Sequence, residues 1–274
     1  MRLVCVTDNC VERSSGLWGE HGLCFWVETD GQNVLWDTGQ SATVLEHNLA
    51  CLGLARRPLH ALGQSHAHYD HSGALLHVLE EHPKLTVYGN ASLCEPRYAR
   101  SGEVVRPIGL QRLGDGWRDL ADLRLSDAPQ EIAVGVKTTG RITPRPYPQG
   151  SSPHHLVEVD GELRPDPYAD DMSLVLEVPG GIVLLCGCCH AGLRNTLETV
   201  RRLFDAPLLA IIGGTHLAQA ADAEIEALIG LLRREGSPRL YLNHCTGERP
   251  LYALHAAFGD CVLPCPAGTE IAFG

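Results

Sequence analysis

Three times in its second half the chain repeats one pattern: an apolar run, then glycine beside histidine or cysteine, then an amphipathic stretch. Ile182-Val183-Leu184-Leu185-Cys186 leads into Gly187-Cys188-Cys189-His190-Ala191-Gly192 and a helix near 193–204. Leu208 to Ile212 leads into Gly213-Gly214-Thr215-His216 and a helix near 221–235, whose apolar face is Ile225, Leu228, Ile229 and Leu232. A strand near 239–243 leads into His244-Cys245-Thr246-Gly247 and a helix near 249–258. Alternating strands and helices predict an α/β fold. In such folds functional groups collect where strands end, so His190, His216 and His244 are expected on one rim of a sheet.

The first half reads as a meander that enters a helix. Short β-rich runs at 2–7, 23–29 and 33–37 are separated by polar turns such as Asp30-Gly31-Gln32, and an apolar-periodic helix follows near 41–52. Asp37-Thr38-Gly39 sets a carboxylate at a strand end. A helix near 73–82, the breaker Pro83 and a strand at 84–88 come next. Stretches 95–130 and 141–170 lack clear periodicity, apart from a strand near 131–137, and the second holds Pro144, Pro146, Pro148, Pro153, Pro165 and Pro167. Such segments are expected as lids framing a pocket on a single domain spanning 1–274. Residues 173–186 read as a hairpin turning at Pro179-Gly180-Gly181, and terminal strands are expected near 261–263 and 269–273.

Between the meander and that helix lies Gln64-Ser65-His66-Ala67-His68-Tyr69-Asp70-His71-Ser72-Gly73. In extended backbone, side chains two residues apart leave on the same side, so His66 and His68 can chelate one ion. Asp70 and His71 fall where the pattern turns helical and can aim at a neighbouring point, which suggests a second ion. Imidazole and carboxylate suit a borderline-soft dication, Zn²⁺ first, with Fe or Mn as alternatives. A pair of such ions can share one activated water. Cys188, two residues from His190, offers a thiolate to the same cluster or packs beneath it.

The formal net charge of −11 disfavours partners held through a phosphate backbone, so nucleic acid is not expected. No apolar run of membrane-spanning length occurs, and residues 1–6 read directly as a strand. Eleven cysteines without a secretory leader predict reduced thiols in the cytoplasm. A zinc ribbon built from Cys186, Cys189, Cys261 and Cys265 is disfavoured, because the first pair follows an apolar strand without the turn residues of a knuckle. The expected partner is a small-molecule substrate. A homo-oligomer fits the sequence as well as a monomer does.

Asp37-Thr38-Gly39, His66-x-His68-x-Asp70-His71 and the downstream histidines make the chain resemble the metallo-β-lactamase superfamily. Gly187-Cys188-Cys189-His190-Ala191-Gly192, Gly213-Gly214-Thr215-His216-Leu217 and His244-Cys245-Thr246-Gly247, with Thr7-Asp8-Asn9 and Thr143-Pro144-Arg145, resemble the branch named for dihydropterin ribofuranosyl-aminobenzene phosphate synthase. The resemblance implies an αβ/βα four-layer sandwich with a metal pair at one sheet edge. It implies that His190 and His244 complete a ligand set of His66, His68, Asp70 and His71. Relatives bridge the ions with an Asp at a strand end, where this chain has Cys188. Cys188, Asp170, Asp171 or no residue takes that place. The expected activity is hydrolysis of a small ester, lactone or phosphate-containing substrate, with Asp70 orienting the water, His216 donating to the oxyanion unless it is a ligand, and Arg145 holding a substrate anion. The alternatives are a transferase condensing a dihydropterin pyrophosphate with an aromatic ribosyl phosphate, and a non-catalytic binding protein on a degenerate site.

Overall fold

The layers follow from the alternation of side chains along strands. In β1 (Arg2–Thr7), Leu3 and Cys5 face one core while Val4 and Val6 face another. In β2 (Cys24–Thr29) and β3 (Gln32–Trp36), Phe25, Val27, Val34 and Trp36 join Leu3, whereas Trp26 and Leu35 join Val4. The outer set is covered by α1 (Ala42–Cys51), whose N-cap Ser41 accepts a hydrogen bond from the Val44 N–H. The computed structural model describes residues 1–274.

The chain continues through β4 (Ala61–Gly63), the single turn α2 (Tyr69–Ser72), α3 (Leu75–Glu81) and β5 (Thr86–Gly89). Next come the hairpin β6 (Arg97–Ser101) and β7 (Val104–Pro107), the turn α4 (Trp117–Leu120), β8 (Asp122–Leu125), β9 (Glu131–Ala133) and β10 (Val136–Thr138). A second hairpin, β11 (His155–Val159) and β12 (Glu162–Pro165), precedes β13 (Leu174–Val178), β14 (Gly181–Leu185), α5 (Leu193–Leu203) and β15 (Leu208–Gly213). The chain finishes with α6 (Asp222–Arg234), β16 (Arg239–Leu242), α7 (Glu248–Phe258), β17 (Val262–Pro264) and β18 (Glu270–Ala272).

Two seven-stranded sheets result, β18-β1-β2-β3-β4-β5-β8 and β17-β16-β15-β14-β13-β10-β9. They face each other across one core containing Phe25, Trp36, Leu174, Leu176, Val183, Leu185 and Ile212. The outer face of the second sheet, with Val175, Ile182 and Leu184, packs under helix residues Leu197, Leu228, Leu232 and Leu254. Helix, sheet, sheet, helix is the four-layer sandwich the resemblance implies. In each sheet one half is parallel: β3-β4-β5-β8 in the first and β14-β15-β16-β17 in the second. The carboxyl end of β3 leads into Asp37-Thr38-Gly39, and those of β4, β14, β15 and β16 lead into the histidine and cysteine motifs. No helix is long and apolar enough to cross a membrane.

Three expectations need correcting. The stretches 95–130 and 141–170 are not irregular throughout: their hairpins pair through β6 and β11 into a third sheet, β12-β11-β6-β7, and β8 extends the first sheet. Periodicity is hidden there because β7 and β12 are exposed along their length, so no apolar face marks them. The expected strand near 131–137 is two short strands joined at Gly135, which has a left-handed φ of 71°. The expected helix near 73–82 begins two residues later, and the separate turn α2 carries Asp70 and His71. Cys186 and Cys189 pack in the outer core and Cys265 between the sheets, which leaves no ribbon.

Candidate metal centre

Several strand ends at the rim finish in strained backbone. Asp37 after β3, Cys189 after β14, His216 after β15 and His244 after β16 have φ of 60°, 57°, 48° and 52°. Non-glycine residues adopt this left-handed region at a cost of about 1–3 kcal/mol and cluster at functional sites. Here the turns bring His216 and His244 to one cleft, with Asp37 behind them and Cys189 in the outer core.

His66, His68 and His190 form the first group that could hold a metal ion. Their ligand atoms lie within 4.8 Å of one another, and the Nε2 atom of each is buried without a hydrogen-bond partner. Their orientation is dictated from behind. The buried Asp37 carboxylate accepts four hydrogen bonds, from Gln64 Nε2, Ser65 N, Ser65 Oγ and His71 Nδ1. Ser65 Oγ donates its proton to Asp37 at 2.7 Å, so toward His66 Nδ1, 2.9 Å away, it can only accept. That fixes the proton on Nδ1 and leaves the Nε2 lone pair facing the group. His190 Nδ1 donates to the Gly150 carbonyl at 2.9 Å with the same consequence, and Tyr168 stacks on its ring at 4.3 Å. Burial pushes all three imidazoles well below their ordinary range, so they are neutral. Three buried Nε2 atoms without partners would each cost about 1–3 kcal/mol, and a dication is the partner that fits them.

Asp70, His71, Cys188 and His244 meet beside it. His71 donates from Nδ1 to Asp37 at 2.7 Å and presents Nε2 to Cys188 Sγ at 3.1 Å and His244 Nε2 at 3.2 Å. His244 is held by Asn9 Oδ1 on its own Nδ1 and reaches Asp70 Oδ2 at 3.4 Å. Burial pushes Asp70 up, but His71, His244 and His68 outweigh it and hold the carboxyl well below the usual range. Burial pushes His244 down, yet Asp70, Cys245 and Asp8 raise it to about 9. Such a centre attracts positive charge, whether proton or metal. Cys188 shares groupings with His66 and His71, with His190 and His216, and with His244 and Cys245, so it stands at the junction of the two ligand groups.

The other candidates fall elsewhere. Asp170 accepts from Ala67 N and pairs with Arg97 at 2.9 Å, and Asp171 accepts from Ala191 N; both brace the ligand loops from behind. His216 lines the cleft, 4.3 Å from the His190 ring, with Nδ1 unpartnered. Arg145 does not face the cleft as expected: its guanidinium donates to the carbonyls of Ile142, Pro167 and Tyr168 and to Gln149, tying two loops together. Sequence reading missed His21, 3.3 Å from Asp70, and also His155, Tyr168 and Cys245. His21 and His155 are isolated histidines with no spacing signal, whereas Cys245 sits inside a motif already singled out. The cleft, about 240 Å³, is walled on its far side by the third sheet.

Residues 17–190 match the model of the metallo-beta-lactamase superfamily. The chain is similar to 7,8-dihydropterin-6-methyl-4-(beta-D-ribofuranosyl)-aminobenzene-5'-phosphate synthase of Methanocaldococcus jannaschii, at 23% identity over 90% of this chain and 88% of that protein. Among solved structures it resembles Tm1679, described as a metal-dependent hydrolase of the beta-lactamase superfamily, with a TM-score of 0.85 and 27% identity over 100% of this chain and 99% of that one. Zn(2+)-bound PqqB from Methylobacterium extorquens shares the fold, with a TM-score of 0.61 and 12% identity over 100% of both chains. Two sheets face to face, parallel strand ends bearing the histidine motifs, and a matching family model over more than half the length lead to one statement: the chain belongs to the metallo-β-lactamase superfamily.

Proposed function

We propose that this protein is a metal-dependent hydrolase acting on a small ester, lactone or phosphate-containing substrate. The observation that carries the reading is the convergence of three buried, partnerless Nε2 atoms from His66, His68 and His190 beside a second group of Asp70, His71, Cys188 and His244. These residues would hold a pair of divalent ions, zinc first, which would supply Lewis acidity and an activated water near neutral pH. The chain provides the rest. Asp70, ionised and held among His21, His71 and His244, accepts a hydrogen bond from water and fixes its direction. His216, pushed down by burial and raised overall by Cys245, lines the cleft where it could donate toward a developing oxyanion.

The test is His68→Ala, with ester and phosphodiester turnover and circular dichroism measured together. Loss of turnover by at least about 100-fold with an unchanged spectrum is expected, because the side chain sits at a sheet edge and serves the site. Unchanged turnover would remove His68 from the mechanism. A second reading, transfer from a dihydropterin pyrophosphate to an aromatic ribosyl phosphate, is favoured by the similarity to the synthase over 90% of the chain. Pyrophosphate release that requires both substrates would select it; cleavage of a single ester or lactone would select hydrolysis. A non-catalytic role is disfavoured because His66, His68, Asp70 and His71 are all intact.

A further inference from the structure

The cleft has one wall that the metal chemistry does not use. It is built by the β6–β7 hairpin, where Ala99 and Arg106 stand opposite each other and Ile108 follows. Arg106 lines the same space as His68, Asp70 and His155. Several other arginines of this region are committed: Arg97 to Asp166 and Asp170, Arg141 to Asp127, Arg145 to loop carbonyls, Arg194 to Glu224. Arg106 makes no hydrogen bond or ion pair with any group of the chain. The small Ala99 side chain across the hairpin leaves room in front of it. Asp70 is the one carboxylate lining the cleft, and it is held by His21, His71 and His244.

A guanidinium presents its donors as a planar fork that matches the two oxygens of a carboxylate or phosphate. From its position we infer that Arg106 determines specificity by binding an oxyanion at the end of the substrate remote from the reacting centre. The substrate class is then a short molecule whose electrophilic centre lies at the histidine cluster and whose carboxylate or phosphate reaches β7. The inference rests on the metal-centre reading proposed above. It gives Arg106 the task the sequence suggested for Arg145, with the difference that Arg106 is uncommitted and faces the cleft.

Hydroxamates of graded tail chemistry test it without requiring turnover. The metal-loaded protein is titrated calorimetrically with the monohydroxamate of succinic acid, its neutral amide counterpart and a phosphonate-tailed analogue. The wild type should bind an anionic tail at least about tenfold more tightly than the neutral one, the scale of one charge-assisted hydrogen bond. The better of the carboxylate and the phosphonate identifies the anion. Arg106→Ala should erase that preference and leave the neutral compound's affinity unchanged; Arg106→Lys, which keeps the charge without the fork, should retain part of it. Both variants lie on an exposed edge strand, so folding is preserved. No preference in the wild type, or equal preference in wild type and Arg106→Ala, overturns the inference and spares the metal centre. Failure of every hydroxamate to bind metal-loaded protein overturns both.

Discussion

Asp37 shows how much one side chain organises. It fixes His71 directly and His66 through Ser65, so it decides the tautomers of two ligands without facing the ions itself. Asp37→Asn replaces one acceptor oxygen with a donor and should weaken metal binding about 10–100-fold, measured by competition with a chelator. Cys188 makes a sharper case, because its Sγ lies 3.1 Å from His71 Nε2, at the position where the resemblance implies a bridging Asp. Cys188→Ser should weaken one ion far more than the other, since a hydroxyl is a poorer ligand than a thiolate, and Cys188→Asp should recover part of the loss. Equal affinities in wild type and Cys188→Ser would reject a ligand role. At this scale the central motif and the three later ones were legible, because their spacing has few causes other than a shared site. Arg145 was misread because sequence places an arginine on a loop but does not say which carbonyls will capture it.

Elements position those residues through close backbone approach. Gly187, directly after β14 and its closing Cys186, lies so near Ser65 that an added Cβ would sit 2.1 Å from Ser65 Oγ. Gly187→Ala should therefore displace Ser65, release His66 from its fixed tautomer and lower first-group metal affinity, read again by chelator competition; unchanged affinity would show that the Asp37–Ser65–His66 chain is dispensable. The principal strands and helices of both halves were readable from period and glycine punctuation. β4 was not, since Ala61–Gly63 is too short for any period to register. The third sheet was not, because its strands bury little and are held by pairing between segments distant in sequence, Leu156 opposite Tyr98 for one. Ala99, Arg106, Ile108 and His155 of those segments line the cleft.

Across the molecule the two halves converge on one rim, and buried carboxylates lock the halves together. Asp171, after the third sheet, accepts from Ala191 beside His190, and burial raises it to about 7; burial raises Asp170 to about 6 despite Arg97. A folded pKa above the unfolded value of roughly 4 means that the native state holds protons the unfolded chain releases. The associated stability is present below about pH 4 and lost as pH rises through the folded values. Chelator-treated Asp171→Asn, which cannot ionise, should gain roughly 2–3 kcal/mol relative to wild type between about pH 5 and pH 8, by urea unfolding. A pH-independent difference would contradict the raised value. The four-layer arrangement was legible only through the resemblance, since local patterns give the elements and not which sheet faces which.

The central claim is that these strand ends hold a pair of metal ions, and metal content tests it most directly. Elemental analysis of folded protein expressed with zinc should find about two ions per chain, and about one in the His66→Ala, His190→Ala double variant, which removes two ligands from the first group while leaving Asp70, Cys188 and His244 in place. Fewer than about one ion per chain in folded wild type, or an unchanged ratio in the double variant, would contradict the account.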